Sequence, residues 1–446
     1  MTATNRHTPT RRPLPATSPI PLLALRYTGR FECIGAACED HCCAHLLVTV
    51  DRPDYVRLKR TLGSTGEERD QFERGCLRTG APADAGGSYA ELRRTPEGAC
   101  AFLRPDRLCS IHSAHGPAAL PSVCGTYPRV VTRIGQRLSL THAMSCPEAA
   151  RLCLLAGDAT RVEETDPRPV ERCIVRYRLP ARSRHPFVRN FLAIRGAFLE
   201  LLGRHEYSMP GRLYTSAHLA RRLDGVRATR LAVSKDARIG AAIEEYASAQ
   251  RLAALDRECR AGQVSGALPF VLVQQVLIAA PRSAGTAHFG ALVDAVHGPF
   301  LDREEGAAGP TLRGGELWEA YLLRRRKWEE MFPERISQFV GNYASNYWMG
   351  NPFTASPDLL THVLHLLARV AAIRFLLFNH PALLEVEDRT STRTVREQAL
   401  DRAVVDVVYS FTRAIEYADR ASGLLGRALA QYRVRGIRAA AGLASF

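Results

Sequence analysis

The chain has 446 residues, 46% hydrophobic and 24% charged, which is enough for two or three globular domains with a sizeable core. No run of 18 or more apolar residues occurs, so no membrane-spanning helix is predicted. The net charge of +15 is carried by 57 arginines against three lysines. Genome base composition explains this bias most simply, and attraction to an acidic partner is the alternative. Because the arginines are scattered rather than clustered with aromatic residues, nucleic-acid binding is not expected.

The N-terminal residues 1–22 are rich in Thr, Pro and Arg and are predicted to form a disordered tail. Their apolar stretch is short, is broken by proline and is not followed by an obvious cleavage site, so it does not resemble a secretory signal peptide. We therefore expect a cytoplasmic protein. In that reducing compartment disulfide bonds are not expected, and clustered cysteines indicate metal or redox chemistry instead.

Residues 23–153 are predicted to form a small, cysteine-rich α+β module, because nine of the twelve cysteines lie in the first 150 residues. The segment "HLLVTV" (45–50) predicts a short strand, and Asp51 then caps a helix. A second short strand is expected at 88–93. The segment "RVVTRIGQRLSLT" (129–141) predicts a hairpin around a glycine turn.

The character of the chain changes after about residue 154. Residues 154–186 are polar and are predicted to be a linker, whereas residues 187–446 show helical periodicity almost throughout and are predicted to form an α-helical domain. The fold class is therefore mainly α, with the small α+β module preceding a larger helical domain. The helical stretches are expected at 187–203, 227–260, 267–281, 314–330, 334–349, 357–379 and 393–433.

The cysteines of the module predict a metal centre, and the candidate ligands are Cys33, Cys38, Cys42, Cys43, Cys100, Cys109, Cys124 and Cys146. The spacing C-x4-C-x3-C-C followed by single cysteines contains no C-x2-C pair of the kind common in zinc sites. The ligands of an iron–sulfur cluster can arrive from separate loops, so we favour such a cluster. Zinc and unmetallated buried thiols are the alternatives. Because adjacent side chains diverge, Cys42 and Cys43 can hardly serve one metal, and two sites are a further alternative.

Five segments, in order and spacing, resemble the flagellin lysine-N-methylase family: "FECIGAACEDHCC", "CAFL", "LCSIH", "CGTYPR" and "SCPEAARL". The same general cysteine arrangement occurs in a broader group of zinc- or iron-chelating proteins. Two later segments, "FVGNYASNYWMGNPF" (339–353) and "VVYSFTRAIEYAD" (407–419), are also similar to the narrower family. The resemblance runs from about residue 27 to the end, with Ala101 standing where the family usually has proline.

The resemblance implies transfer of a methyl group from S-adenosylmethionine to the ε-amine of lysine on flagellin or another protein, by a chain that carries a [4Fe–4S] cluster. The sequence shows no Gly-rich turn of a doubly wound cofactor domain. We therefore hypothesise that an open iron of the cluster chelates the amino and carboxylate groups of the methyl donor. The alternatives are a non-enzymatic zinc- or iron-binding protein and a protein-binding adaptor in which zinc is only structural.

Three polar residues close to candidate ligands are expected to serve this chemistry. Tyr127 and Glu148 are the catalytic candidates, and Arg129 is the candidate partner of a cofactor carboxylate. The alternatives are a structural ion pair for Arg129 and a helix N-terminal carboxylate for Glu148.

One predicted helix carries four further candidates, which are expected to bind the substrate: Asn342, Tyr343, Asn346 and Tyr347. The two asparagines share one helix face and the two tyrosines share another. Aromatic residues at this spacing usually belong to a core, whereas an amide in a helix interior is costly unless it is hydrogen-bonded.

Overall fold

The structure is a computed structural model that describes residues 21–44, 46–63, 65–80, 89–167, 170–229, 234–262, 267–283, 286–302, 311–387, 390–416 and 423–446. Residues 1–20 of the expected tail lie outside these ranges, and Leu22 already begins a strand. The chain divides into two compact units. The first contains residues 1–152, 161–181 and 283–285, and the second contains residues 153–160, 182–282 and 286–446.

The strands of the first unit are β1 (Leu22–Leu25), β2 (Thr49–Val50), β3 (Cys76–Arg78), β4 (Ala90–Leu92), β5 (Arg129–Ile134), β6 (Arg137–His142), β7 (Val162–Thr165) and β8 (Val175–Leu179). They form a five-stranded sheet of order β7-β1-β6-β5-β8 and a three-stranded sheet of order β2-β4-β3. Gly135, at φ 58°, makes the turn between β5 and β6, so the predicted hairpin is confirmed.

The helices of the first unit are short: α1 (Arg52–Thr61), α2 (Gly66–Gly75), α3 (Ser110–His115), α4 (Ser122–Thr126) and α5 (Pro147–Leu155), whose last three residues belong to the second unit. Asp51 caps α1 by accepting a hydrogen bond from the backbone of Asp54 at 2.8 Å, which confirms the predicted helix start. The three-stranded sheet and the first two helices share one hydrophobic cluster that includes Val50, Phe72 and Phe102.

The segment 154–186, expected to be a linker, is structured. It supplies the end of α5 and both edge strands of the five-stranded sheet, β7 and β8. Val175 of β8 is buried against Val131 and Leu138 of the hairpin. The charged residues that make this segment look like a linker occupy exposed or half-buried positions of edge strands, where one side faces solvent.

The second unit is almost entirely helical, which confirms the mainly α fold class. Its helices are α6 (Pro186–Arg189), α7 (Phe191–Leu202), α8 (Met209–Ala228), α9 (Lys235–Ala247), α10 (Ala249–Ala261), α11 (Ala267–Ile278), α12 (Ala287–His297), α13 (Gly314–Met331), α14 (Pro333–Gly350), α15 (Leu359–Phe378), α16 (Pro381–Glu385), α17 (Arg393–Phe411), α18 (Leu424–Gln431) and α19 (Gly436–Ala444). Two short strands, β9 (Leu301–Asp302) and β10 (Thr311–Leu312), form a separate pair.

Helix α15 is the centre of the second unit, and nearly all of its side chains are buried. By length and composition the stretch Leu359–Glu385 would be able to cross a membrane, but 83% of its apolar window is buried inside the fold. Burial on all sides is typical of the central helix of a globular core.

In the second unit, the expected helical stretches omit four helices, α8, α12, α16 and α19, and merge others. Helix α8 is buried around most of its circumference and includes Arg212 and His218 in its interior, so it lacks the one-sided apolar pattern. The predicted helix 227–260 is interrupted at Ser248, which caps α10 through its side chain. In the predicted helix 393–433, the α-helix α17 ends at Phe411 and a π-helical turn, Thr412–Glu416, follows it.

Candidate metal centre

The candidate ligands come from five separate pieces of the first unit. Cys33 and Cys38 flank a short 3-10 turn, and Cys42 and Cys43 open the next one. Cys100 and Cys109 bracket the turn after β4, Cys124 lies in α4, and Cys146 immediately precedes α5. A backbone hydrogen bond of 2.8 Å from the Cys100 N–H to the Cys43 carbonyl ties two of these pieces together.

Cys43 contacts two other thiols. Cys43 shares side-chain hydrogen bonds with Cys109 and with Cys42, and these, together with burial, raise the pKa of Cys43. The bond donated by Cys43 lowers the pKa of Cys109 to about 6, and the backbone N–H groups of His112 and Ile111 also favour its thiolate. The surroundings of Cys109 therefore lower its pKa relative to that of Cys43, because its sulfur accepts from a thiol and from backbone N–H groups at the start of α3.

The remaining buried thiols surround this contact. Burial raises the pKa of Cys100 to about 11 and raises that of Cys124 well above its usual value. Both thiols lie close enough to Cys42 and Cys109 for the negative charges of those groups to raise their pKa further.

Cys146 lies on another side of the same group. Burial raises the pKa of its thiol to about 12, and the negative charges of Cys38 and Cys42 raise it further. The backbone N–H groups of Ala149 and Glu148, in the first turn of α5, act in the opposite direction and favour the thiolate. The charge of Cys42 thus acts both on Cys100 and Cys124 and on Cys146. Cys33, in contrast, is exposed.

The donor set fits a soft, positively charged metal centre in its chemistry. Several buried thiols whose pKa values rise because of burial and mutual repulsion are disfavoured as thiolates, and a metal cation removes that penalty by displacing their protons. Within the described residues, no three Cys, His, Asp or Glu side chains converge closely enough to hold a metal ion as they stand. The thiols therefore lie in one region of the first unit without forming a preformed metal site among the described residues.

Tyr127, Glu148 and Arg129 all lie in the first unit. The Tyr127 hydroxyl is 3.1 Å from the hydroxyl of Ser145, the residue that precedes Cys146 in the chain. The Glu148 carboxylate accepts a hydrogen bond from Arg151 in the first turn of α5. Arg129 begins β5 opposite His142, and its charge, after burial, lowers the pKa of that imidazole, which falls to about 3.

The four residues expected to bind substrate lie on α14 and are buried, each between 3% and 6% exposed. Asn342 has a structural role that the sequence did not indicate. Its Nδ2 donates to the carbonyls of Cys153, Leu154 and Ala156 at 2.8, 3.3 and 3.0 Å, and its Oδ1 accepts from the Thr160 hydroxyl at 3.0 Å. The amide thereby caps the C-terminal end of α5, where the last carbonyls lack partners within the helix.

The other three side chains are also directed inward. The Tyr347 hydroxyl donates to the carbonyl of His362 at 3.4 Å, and Tyr343 lines an apolar pocket together with Val370 and Val404. All four side chains are thus largely buried, and their role in binding the substrate stays a prediction.

Sequence reasoning also missed residues that contact the cysteine loop directly. The Arg107 guanidinium donates to the Cys38 carbonyl at 2.5 Å, and Arg151 forms an ion pair with Glu39. No spacing signal links these residues, because 69 and 112 positions separate the partners along the chain. The helix start after Cys146 was visible in the sequence, as a proline followed by a glutamate.

The fold and site define a class of protein in which a cysteine-rich module precedes a helical domain. Comparison with known families gives two matches in that order. Residues 32–147 match the family described as "Putative zinc- or iron-chelating domain", and residues 195–440 match the "FliB lysine N-methylase C-terminal domain". Because the second match covers more than half of the chain, the chain belongs to the FliB lysine N-methylase C-terminal domain family. The expected family is confirmed.

Curated relatives match over a shorter stretch. A 139-residue segment is 26% identical to the lysine-N-methylase of Salmonella typhimurium and covers 31% of this chain and 33% of that protein. A segment of the same length is 25% identical to the flagellar biosynthetic protein FliU of Salmonella muenchen and covers 31% of this chain and 79% of that protein. The match thus spans about a third of the length of the Salmonella typhimurium relative. No solved structure matches the chain significantly.

Proposed function

We propose that this chain is a protein lysine N-methyltransferase that acts on flagellin in the cytoplasm. The observation that carries the proposal is the match of residues 195–440 to the lysine N-methylase C-terminal domain, preceded in the chain by a match to a metal-chelating domain. The printed names of the Salmonella relatives, a lysine-N-methylase and a flagellar biosynthetic protein, support the same reaction and substrate.

The proposed methyl donor is S-adenosylmethionine. The lysine ε-nitrogen attacks the methyl carbon of the sulfonium, a carbon–nitrogen bond forms, the carbon–sulfur bond breaks, and the donor leaves as a neutral thioether. The amine must be neutral to attack, and because lysine has a pKa near 10.4 in water, the site must remove its proton or desolvate it. The proton passes to a base of the enzyme or to solvent.

The proposed metal centre is a [4Fe–4S] cluster, with zinc as the alternative. Its ligands would come from the buried and half-buried thiols that contact or act on one another, which are Cys38, Cys42, Cys43, Cys100, Cys109, Cys124 and Cys146. When bound, a cluster iron with an open coordination position would supply a point of attachment for the amino and carboxylate groups of the methyl donor.

Tyr127 is the favoured catalytic residue of the first unit, because its hydroxyl lies beside Ser145 and hence beside the candidate ligand Cys146. Glu148 would act as the base only after leaving its ion pair with Arg151. Arg129 remains the proposed partner of the donor carboxylate, through a charge that already acts on His142 and Cys173.

The test is methylation of purified flagellin by the full-length chain, isolated without oxygen, with S-adenosylmethionine carrying a deuterated methyl group. Mass spectrometry should show a flagellin lysine that gains the labelled methyl. Cys109→Ser should lose both metal and activity, whereas Cys76→Ala, a matched change at a buried thiol of the same unit, should keep both. A metal-loaded wild-type chain that leaves flagellin unlabelled would overturn the proposal.

A non-enzymatic metal-binding protein or adaptor is the second candidate, and the description of the domain at residues 32–147 favours it. It predicts metal binding, and flagellin binding in the adaptor case, without methyl transfer. Absorbance near 400 nm in the oxygen-free protein would indicate iron–sulfur rather than zinc in either case.

A further inference from the structure

We propose that Arg107 and Arg151 are positioning residues that hold the cysteine loop, residues 38–42, so that its thiols meet Cys109 and Cys146. The inference rests on the metal centre proposed above and deepens it, because it names side chains that set the geometry of the ligands without binding the metal. All of these residues belong to the first unit.

Arg107 holds the loop through its backbone. The guanidinium donates to the Cys38 carbonyl at 2.5 Å and to the Glu39 carbonyl at 3.3 Å. Arg107 is two residues before Cys109, so these bonds fix the first part of the loop to the segment that carries Cys109.

The backbone of Arg107 adopts a conformation that few residues other than glycine adopt. Its φ of 66° lies in the left-handed region, which glycine adopts without steric cost and other residues rarely adopt. The turn is closed by hydrogen bonds from Arg107 N–H to the Arg104 carbonyl at 3.0 Å and from Arg104 N–H to the Leu108 carbonyl at 2.9 Å. Backbone geometry alone would favour glycine here, and the Arg107 side chain adds the two contacts with the loop.

Arg151 holds the same loop through a side chain. One guanidinium nitrogen pairs with Glu39, in the loop, and another pairs with Glu148, in the first turn of α5. Helix α5 begins directly after Cys146, so this bridge ties the loop to the segment that carries the second thiol. A planar guanidinium can serve both carboxylates at once, which a lysine ammonium does less well.

The two arginines therefore fix one loop to two segments, each of which carries a candidate ligand. Each contact alone is a partly exposed interaction and contributes little. Together they order the loop before metal binding, so the metal does not have to supply the ordering free energy. Groups that orient metal ligands in this way typically change metal affinity by about 10–100-fold when they are removed.

The first experiment measures loop order without any metal. In the metal-free, full-length chain, the rate at which iodoacetamide alkylates Cys38 is followed by mass spectrometry for the wild type, Arg107→Gly, Arg151→Gln and the double variant. Cys38 is buried, so its alkylation requires local opening. We expect about tenfold faster alkylation of Cys38 in the double variant, with alkylation of the buried Cys153 unchanged as an internal reference.

The matched control is Arg104→Ala, which removes an arginine that pairs with Asp106 in the same turn. It should leave Cys38 alkylation unchanged. Arg107→Gly removes left-handed strain while removing the contact, so its melting temperature should stay equal or rise although the loop opens. If Arg107 contributed only to general stability, faster alkylation of Cys38 would be accompanied by a lower melting temperature.

The second experiment measures zinc affinity by competition with a chelator. The double variant should bind Zn²⁺ about 10–100-fold more weakly than the wild type, and Arg151→Lys should lose less than Arg151→Gln. Unchanged Cys38 alkylation in the double variant would overturn the inference, whatever the metal content. A wild type that binds no metal but shows the alkylation difference would instead count against the proposed metal centre and leave the loop assignment standing.

Discussion

Replacing Asn342 with alanine tests directly whether this residue is structural. The side chain is 5% exposed and makes four hydrogen bonds, three to carbonyls at the end of α5 and one from Thr160. Asn342→Ala removes all four, so the Cys153 carbonyl loses this donor, whereas the Leu154 and Ala156 carbonyls keep bonds from Gln338 and from the Ala159 N–H. We expect the variant to be less stable and to lose helical order at the end of α5, rather than to lose substrate contacts on an intact fold.

The size of the effect follows from the number of bonds. A net contribution of about 1 kcal/mol per buried hydrogen bond, reduced where water can enter beside the last turn, gives a loss of about 2–4 kcal/mol. For a unit of this size each kcal/mol lowers the melting temperature by about 2–4 °C, so a shift of about 5–10 °C is expected. The neighbouring Gln338 makes one bond, to the Leu154 carbonyl at 2.9 Å, and Gln338→Ala should cost about 1 kcal/mol.

The assay is thermal unfolding of the full-length chain followed by circular dichroism, with hydrogen exchange of the amides at residues 153–160. Gln338→Ala is the matched control on the same helix face. A melting temperature for Asn342→Ala within 1–2 °C of the wild type, or a smaller shift than that of Gln338→Ala, would refute the structural reasoning. If methyl transfer then fell while stability was unchanged, Asn342 would be a substrate residue after all.

Two further changes test the second unit. Gly211→Ala should destabilise the protein by about 1–3 kcal/mol, because the added Cβ would lie 2.0 Å from Oδ1 of the buried Asp256. Gly225 lies on the exposed side of the same helix and an added Cβ there would have nothing within 4 Å, so Gly225→Ala should stabilise the protein by about 0.5–1 kcal/mol. Urea unfolding measures both free-energy changes, and equal effects would contradict the packing. Burial lowers the pKa of His362 to about 3, so its imidazole takes up a proton in the unfolded chain near pH 6.5 but not in the folded one. Stability is therefore lost as pH falls from 6.5 towards 3. His362→Gln should reduce the slope of unfolding free energy against pH by up to about 1.4 kcal/mol per pH unit. An unchanged slope between about pH 4 and 6 would show that His362 is already charged in the folded protein.

Local signals in the sequence determined many elements correctly. Asp51 before "RPDYV" specified a capped helix, and Gly135 between two β-rich runs specified a hairpin. Both depend on residues within one turn of each other, so their physics is complete in the local sequence. The clustering of cysteines and the order of their motifs likewise indicated the family, because that information is carried by residue identity and spacing.

Helices and strands whose stability comes from distant partners were harder to predict. Helix α8 contains Gly, Ser, Thr and several arginines, and it is helical because its neighbours bury it on most sides. Strands β7 and β8 lie in a segment that resembles a linker, and they are strands because β1 and β5 supply their hydrogen-bond partners. Tertiary context overrides weak local propensity in both cases.

The candidate metal centre shows the same difference between what local sequence indicates and what tertiary packing decides. The sequence by itself named the eight cysteines, but only the tertiary structure decided that Cys43 contacts Cys109, that Cys42 lies between two groups of thiols and that Cys33 stays exposed. It also decided that Asn342 caps α5 from a position 189 residues away from Cys153. A hydrogen bond or a thiol contact depends on where two backbones meet in space, and that meeting is set by the packing of the whole unit rather than by the spacing of residues along the chain.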